Sequence, residues 1–179
     1  MVLDLGCGYG RTLSPFSEKA GFVIGIDTSL SSLALAADVV QNNPRIETVC
    51  MDAARLAFPA KTFDKVVCIQ NGISAFHVNQ LELVHEAVRV TKKDGVVFFS
   101  TYSDKFWEHR LEWFRLQAEA GLLGEIDMSK TGNGVIVCKD GFKATTLSPD
   151  DFRALISELD VRAKIVEVDK SSLFCEIYI

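Results

Sequence analysis

The sequence predicts an α/β fold: a three-layer, doubly wound, mostly parallel sheet of seven strands, closed by an antiparallel C-terminal hairpin. Three observations predict it. Through the first half of the chain, short apolar runs alternate with helix-length amphipathic stretches, the pattern of parallel strands joined by crossover helices. The run Val2–Leu5 ends in Gly6, Gly8 and Gly10, the punctuation of a sharp strand-to-helix turn. Near the other end, only Asp169–Ser172 separates Val161–Val168 from Leu173–Ile179, which permits a hairpin but not a parallel crossover.

Each element has a local reason. After the first strand, Arg11–Ala20 reads as a helix provided that Pro15 falls in its first turn, where no backbone N–H is needed. Phe22–Asp27 is the second strand. Ser29 then caps a helix with Leu30, Leu33, Ala34 and Ala37 on one face, ended by Asn42-Asn43-Pro44. Ile46–Met51 is the third strand and Val66–Gln70 the fourth, with a polar break at Asn71-Gly72. Gln80–Val90 is a helix with Leu81, Val84 and Val88 aligned, and Lys93-Asp94-Gly95 turns the chain into the fifth strand, Val96–Thr101. From Asp104 to about Ala120 a helix would turn Trp107, Leu111, Phe114 and Ala118 to the core, and Phe106, Arg110, Trp113 and Gln117 to a second face. Three short strand-like pieces follow in Gly124–Ser148, separated by the turn sequences Thr131-Gly132-Asn133-Gly134 and Lys139-Asp140-Gly141. Ser148-Pro149-Asp150-Asp151 opens the last helix as a capping box, with Phe152, Leu155, Ile156 and Leu159 as its buried stripe. Residues 1–179 read as a single domain in which 104–147 forms an inserted, cap-like segment.

Composition excludes several function classes. With 48% hydrophobic and 24% charged residues the chain is neither disordered nor low-complexity, and it has no run of about 18 apolar residues to cross a membrane. No basic stretch precedes an apolar run at the start, so no secretory signal is read there. A net charge of -5 argues against a nucleic-acid-coating role, which needs a basic footprint. Cys7, Cys50, Cys68, Cys138 and Cys175 are scattered and contain no C-x-x-C pair, so they read as buried thiols of a reducing, cytoplasmic protein and not as a metal site.

The chemistry concentrates at the ends of the first three strands. Glycines after the first strand let a ligand approach the main chain, and the helix beyond offers free N–H groups. Asp27, ending the second strand, suits a pair of ribose hydroxyls and serves equally as a helix cap beside Thr28 and Ser29. Asp52, ending the third, can accept from an adenine amino group while the Ala53 backbone meets a ring nitrogen; loop capping is its alternative. Acids on three successive strand ends would share one edge of the sheet, where open α/β sheets bind ligands. Arg11 stands where a dinucleotide fold wants its third glycine, and no G-K-S/T phosphate loop is present. An adenosine-bearing ligand without phosphates fits this pattern best.

In this set of residues the sequence resembles the class I S-adenosylmethionine-dependent methyltransferases of small-molecule type. Val2-Leu3-Asp4-Leu5-Gly6-Cys7-Gly8-Tyr9-Gly10 is similar to the family's first motif, Val23–Ser29 to its second and Met51–Phe58 to its third. Phe63–Val67 resembles the approach to its fourth strand. Arg89–Gly95 resembles the run before its fifth, although Lys-Asp-Gly replaces the usual Lys-Pro-Gly-Gly. The closing hairpin is a family feature that dinucleotide dehydrogenases lack. The resemblance implies that S-adenosyl-L-methionine is the cofactor. Gly6 and Gly8 would pass beneath its methionine part, with Asp4 bracing the turn or reaching the amino group and Cys7 and Tyr9 close by. Asp27 and Thr28 would hold the ribose, and Asp52 and Ala53 would read adenine. Ile69-Gln70-Asn71 would supply carbonyls to the ammonium and open onto the methyl-transfer site.

Methyl transfer is an in-line displacement at a sulfonium carbon, so alignment and a partly desolvated pocket matter most. A general base is needed only for a protonated nucleophile, and His77 is the candidate; Asn71 and Ser74 are candidate hydrogen-bonders to the acceptor. The loop Gln70-Asn71-Gly72-Ile73 lacks the Asn/Asp-Pro-Pro-aromatic element of nucleic-acid and protein amide methylases. The stretch Gln70–His77 also has no acid to hold the metal of catechol-type enzymes. A small molecule is therefore the expected partner, carrying an N, O or C acceptor, with neither nucleic acid nor membrane involved. Trp107 and Trp113 would line its pocket within the insertion, or pack that insertion onto the domain or onto a second subunit, which leaves a homodimer open. The N-terminal helices usual for the family do not precede Val2, so the insertion, a partner, or the rest of a longer gene product would cover the cofactor. A nicotinamide-dependent oxidoreductase and a non-catalytic, methyltransferase-like binding protein are the alternatives.

Overall fold

The computed structural model describes every residue except Asn42, so that part of the expected helix-ending Asn42-Asn43-Pro44 lies outside the described residues. Seven strands form one sheet in the order β3-β2-β1-β4-β5-β9-β8. They are β1 (Val2–Leu5), β2 (Val23–Asp27), β3 (Ile46–Cys50), β4 (Phe63–Cys68), β5 (Thr91–Tyr102), β8 (Arg162–Val168) and β9 (Ser172–Tyr178). The first five run parallel, while β9 lies antiparallel between β5 and β8. Central strands of a parallel sheet are covered on both faces, which is why β1 is a continuous apolar run with Leu3 and Leu5 at 0% and 1% exposure. Asp4 between them breaks that pattern. From β1 the chain builds outward to β2 and β3, then crosses back to β4 on the other side. Strand order therefore reverses between β1 and β4, and a crevice opens beyond their carboxyl ends.

The helices between the strands follow their caps. In α1 (Leu13–Lys19) Pro15 does fall in the first turn. Ser29 caps α2 (Leu30–Val40), its hydroxyl accepting from the Ser32 N–H. The buried stripe of α2 is Leu33 and Ala36, not the expected Leu30, Ala34 and Ala37, which are exposed. Leu33 joins Cys7, Leu13 and Val23 in a small cluster under β2, and that contact sets the rotation of the helix. Asn79 caps α4 (Gln80–Val90), which buries Leu83, Val84, Ala87 and Val90; Leu81 and Val88 are only partly buried.

Two boundaries move. The fourth strand starts at Phe63, earlier than expected, because Phe63 pairs with Thr91 across the sheet. The turn expected at Lys93-Asp94-Gly95 is a bulge within β5: pairing with β4 resumes at Lys65 with Val96, so Lys92–Gly95 loop out of that ladder, while Asp94 and Gly95 still exchange backbone hydrogen bonds with Ile179. A short α3 (Gly72–Ala75) occupies the expected polar break.

After β5, a single 3₁₀ turn over Asp104–Phe106 leads into α5 (Trp107–Glu119). The following segment contains only two two-residue strands, β6 (Ile136–Val137) and β7 (Lys143–Ala144), plus isolated bridges Ile126–Cys138 and Gly132–Val135. It folds over α5, where Leu111 and Phe114 share a separate core with Ile126, Ile136 and Cys138. The last helix, α6 (Pro149–Ser157), begins with the full Ser148/Asp151 capping box. Among the described residues no helix is long and apolar enough to cross a membrane.

Candidate active site

The glycine turn after β1 is held by β2. The N–H groups of Gly6 and Cys7 both donate to the Ile26 carbonyl, at 2.8 and 2.9 Å. The Gly8 N–H donates to Asp27 Oδ2 at 2.9 Å, and the Ser29 N–H to Asp27 Oδ1 at 2.8 Å. One carboxylate thus ties the turn to the start of α2. Each of its oxygens keeps a second lone pair for a ligand. The two readings of Asp27, ligand-binding acid and loop cap, are structurally compatible.

Asp27 forms one wall of a cleft of about 260 Å³ with Gly6, Thr28, Met51, Asp52 and Ala53, closed on the far side by Ala75, Phe76 and Val78. Asp52 is exposed on its rim, Oδ1 accepting from the Ala54 N–H at 2.8 Å, while Ala53 is buried. The loop carrying them is clamped from α4. Glu86 Oε2 accepts from the Leu56 N–H at 2.7 Å, and Arg89 donates to the Leu56 and Phe58 carbonyls at 2.8 and 2.9 Å. Ion pairing with Arg89 keeps the Glu86 carboxyl below its usual pKa, so the clamp stays charged. Phe76 and Val78 are cleft residues that the sequence pattern missed, their only signal being the alternation of apolar residues after the fourth strand; Met51 ends the expected third strand without having been singled out for the cleft.

Under the turn, Asp4 is 2% exposed, with Thr12 donating its hydroxyl proton to Oδ2. Burial, partly offset by that hydrogen bond and reinforced by the nearby Asp27 charge, pushes the Asp4 carboxyl up to about 6. An acid beneath a glycine turn suits a ligand that carries positive charge. Gly8 has a left-handed φ of 54° with nothing within 4 Å of where a Cβ would stand, so the turn presents bare backbone. These features fit S-adenosylmethionine: open glycine backbone, a buried acid for its cationic end, and Asp27, Thr28, Asp52 and Ala53 along one cleft.

Gly6 is constrained differently. Its φ is 74°, and a Cβ there would lie 2.3 Å from Phe76 Cζ. Gly6→Ala is expected to lower stability by about 1–2 kcal/mol from the left-handed backbone alone, with a further loss from displacing the Phe76 ring. Thermal denaturation in a double-mutant cycle checks it: the substitution should cost less in a Phe76→Ala background.

Several expected site residues sit elsewhere. The Cys7 side chain packs into the cluster under β2, so only its backbone belongs to the turn; burial and then the Asp4 and Asp27 charges push its thiol up to about 12. Gln70 and Asn71 both take left-handed backbone after β4, and β5 holds them: Gln70 N–H donates to Ser100 Oγ and Asn71 N–H to the Ser100 carbonyl. Gln70 itself is exposed. The Asn71 side chain is buried and spent internally, accepting from Thr101 Oγ1 at 2.7 Å and donating to the Thr145 carbonyl at 2.9 Å, so it is a loop anchor and not a free substrate contact. Ser74 is 6% exposed with an unpartnered hydroxyl, and lies outside the cleft lining. His77 is exposed, also with left-handed backbone (φ 54°), and its neighbours Phe76 and Val78 line the cleft where it does not. Trp107 lines a second cavity beside α5, but Trp113 is 49% exposed against the edge of Phe114.

Comparisons with known proteins give the family and the fold. A family described as a methyltransferase domain matches residues 2–95. The malonyl-[acyl-carrier protein] O-methyltransferase of Marinomonas sp. (strain MWYL1) is 35% identical over 122 residues, 65% of this chain and 43% of that protein. The ubiquinone biosynthesis O-methyltransferase of Neisseria meningitidis serogroup A is 35% identical over 105 residues, 56% of this chain and 43% of that protein. The matches thus span less than half the length of either relative. Among solved structures, a protein from Pyrococcus horikoshii OT3 superposes with a TM-score of 0.76 at 21% identity, covering 99% of this chain and 81% of that one.

Proposed function

We propose, since this chain belongs to the methyltransferase domain family, that it binds S-adenosyl-L-methionine in the β1–β2–β3 cleft and transfers its methyl group to a small molecule. The observation that carries the reading is the convergence of Gly6, Asp27, Thr28, Asp52 and Ala53 on one cleft at the switch point of the sheet. When bound, the cofactor supplies an electrophilic methyl group on a sulfonium. This chain's residues bind and orient it. Asp27 presents preoriented lone pairs to the ribose hydroxyls, Asp52 and the Ala53 backbone meet the adenine edge, and Met51 and Val78 shield the base from water. Asp4 stands under the turn as the negative counterpart of the cationic end, which favours its ionised form.

Both curated relatives are O-methyltransferases by name, which supports a small acceptor here, oxygen among the candidate atoms. No base from His77 is required by this reading, and an acceptor already ionised needs none. An isothermal titration with S-adenosylhomocysteine, followed by a methyl-donor assay over small amines, hydroxyls and carboxylates, tests it. Binding with micromolar affinity and turnover on at least one class is expected. Binding without any turnover would favour a cofactor-binding protein, and no binding at all would refute the reading.

A further inference from the structure

A second, larger cavity of about 520 Å³ has walls that include Tyr102, Trp107, Arg110, Gly134 and Thr146. Arg110 is its anomaly. The residue projects from α5 at 2% exposure, its guanidinium carbon 5.5 Å from the ring centroids of both Tyr102 and Phe114. Nη1 donates to the Gly134 carbonyl at 2.8 Å and Nη2 makes a long contact of 3.5 Å to the Thr145 carbonyl. The Nε–H is buried without an acceptor. None of the ion pairs among the described residues includes Arg110. Burial lowers its pKa, but a guanidinium starts so high that it stays charged.

A buried cation with an idle donor is unfavourable unless something supplies the acceptor. The acids on the cavity wall do not: Asp151 Oδ2 accepts from the Ser148 backbone and hydroxyl, and Asp104 is exposed outside ion-pair range. A planar anion matches this idle donor best, since the guanidinium fork pairs with a carboxylate edge to edge. The flanking Tyr102 and Trp107 suit an apolar or aromatic body. A hydrogen-bond link runs from Arg110 to the segment after β4. The Thr145 carbonyl accepts from Asn71 Nδ2 at 2.9 Å and, at 3.5 Å, from Arg110 Nη2; Asn71 stands three residues past the end of β4, before α3.

We propose that this cavity holds the methyl acceptor and that Arg110 anchors it through a carboxylate, making the substrate a small organic acid. The proposal rests on the methyltransferase reading, and the test separates the two. The protein is first titrated with S-adenosylhomocysteine, then, with and without that ligand present, with benzoate, phenylacetate and indole-3-acetate, each beside its carboxamide. At least one acid is expected to bind about tenfold tighter than its amide. Arg110→Met should remove that preference and Arg110→Lys restore part of it, with S-adenosylhomocysteine affinity unchanged in both. The comparison of acid with amide on the unaltered chain needs no variant, so a misfolded Arg110→Met does not remove the test. If no acid outbinds its amide, or if Arg110→Met keeps the preference, the anchor is overturned and Arg110 only packs α5 beneath its cover. Failure of S-adenosylhomocysteine to bind, with the preference for acids intact, would instead overturn the methyltransferase reading and the acceptor role with it, leaving Arg110 as the anchor of an acid-binding site.

Discussion

Asp27→Ala is expected to weaken S-adenosylhomocysteine binding about a hundredfold, the equivalent of two charge-assisted hydrogen bonds to a ribose diol. The side chain also accepts the backbone N–H groups of Gly8 and Ser29, so its removal leaves two donors to find water. A loss of about 1–2 kcal/mol in stability should accompany the binding defect. Asp27→Asn separates the two effects. Its amide oxygen can replace one acceptor, so stability should largely recover while affinity recovers only in part. Calorimetric titration together with denaturant unfolding of both variants checks this. An Asp27→Ala protein that binds as tightly as the original would remove the ribose assignment and leave Asp27 as a loop tie. Asp52 provides an internal comparison. It is exposed and holds only the Ala54 N–H, so Asp52→Ala should weaken binding less and leave the fold nearly unchanged.

What could be read from the sequence divides along the range of the interactions involved. Acids at strand ends, a glycine turn and a capping box are local signals. Asp27, Asp52, Gly6 and Ser148 accordingly stand where spacing placed them, and the closing hairpin followed from the short link between its strands. Residues governed by distant contacts were not legible. Periodicity put Arg110 with the exposed Trp113 on a second face of its helix, yet the segment carrying Gly134 and Thr145 folds over that face and buries the arginine. The Lys92–Gly95 bulge has the composition of a turn, and only its pairing partners on β4 show that the strand continues through it. Asn71 was expected to meet substrate because it follows the fourth strand; Thr101 and the Thr145 carbonyl, far along the chain, take up its side chain instead. Cys7 follows the same logic, drawn beneath β2 by Leu13 and Leu33.

Asp4 is a buried acid that costs the fold stability and that the proposed cofactor site would put to use. In the unfolded chain it gives up its proton near 3.8; in the folded protein it does so at about 6, because burial and the neighbouring Asp27 charge outweigh the Thr12 hydrogen bond. Between those values the folded state holds more protons than the unfolded state. Stability therefore falls as pH rises through the window from about 4 to 6, and the full penalty is present above it. Asp4→Asn keeps an acceptor for Thr12 but cannot ionise. It should stabilise the protein by about 1–3 kcal/mol at pH 7.5, with a gain at pH 5 that is clearly smaller, as denaturant midpoints at the two pH values would show. A gain independent of pH, or a loss, would mean that Asp4 is not the strained group. The same charge should serve the cofactor. The original protein is expected to bind S-adenosylmethionine more tightly as pH rises through 6, because ionised Asp4 faces a ligand carrying a sulfonium and an ammonium. Asp4→Asn should flatten that profile and weaken binding about tenfold at pH 7.5. A variant that folds better and binds worse, both effects growing over one pH window, would identify a buried acid kept under the glycine turn for its ligand at the expense of the fold.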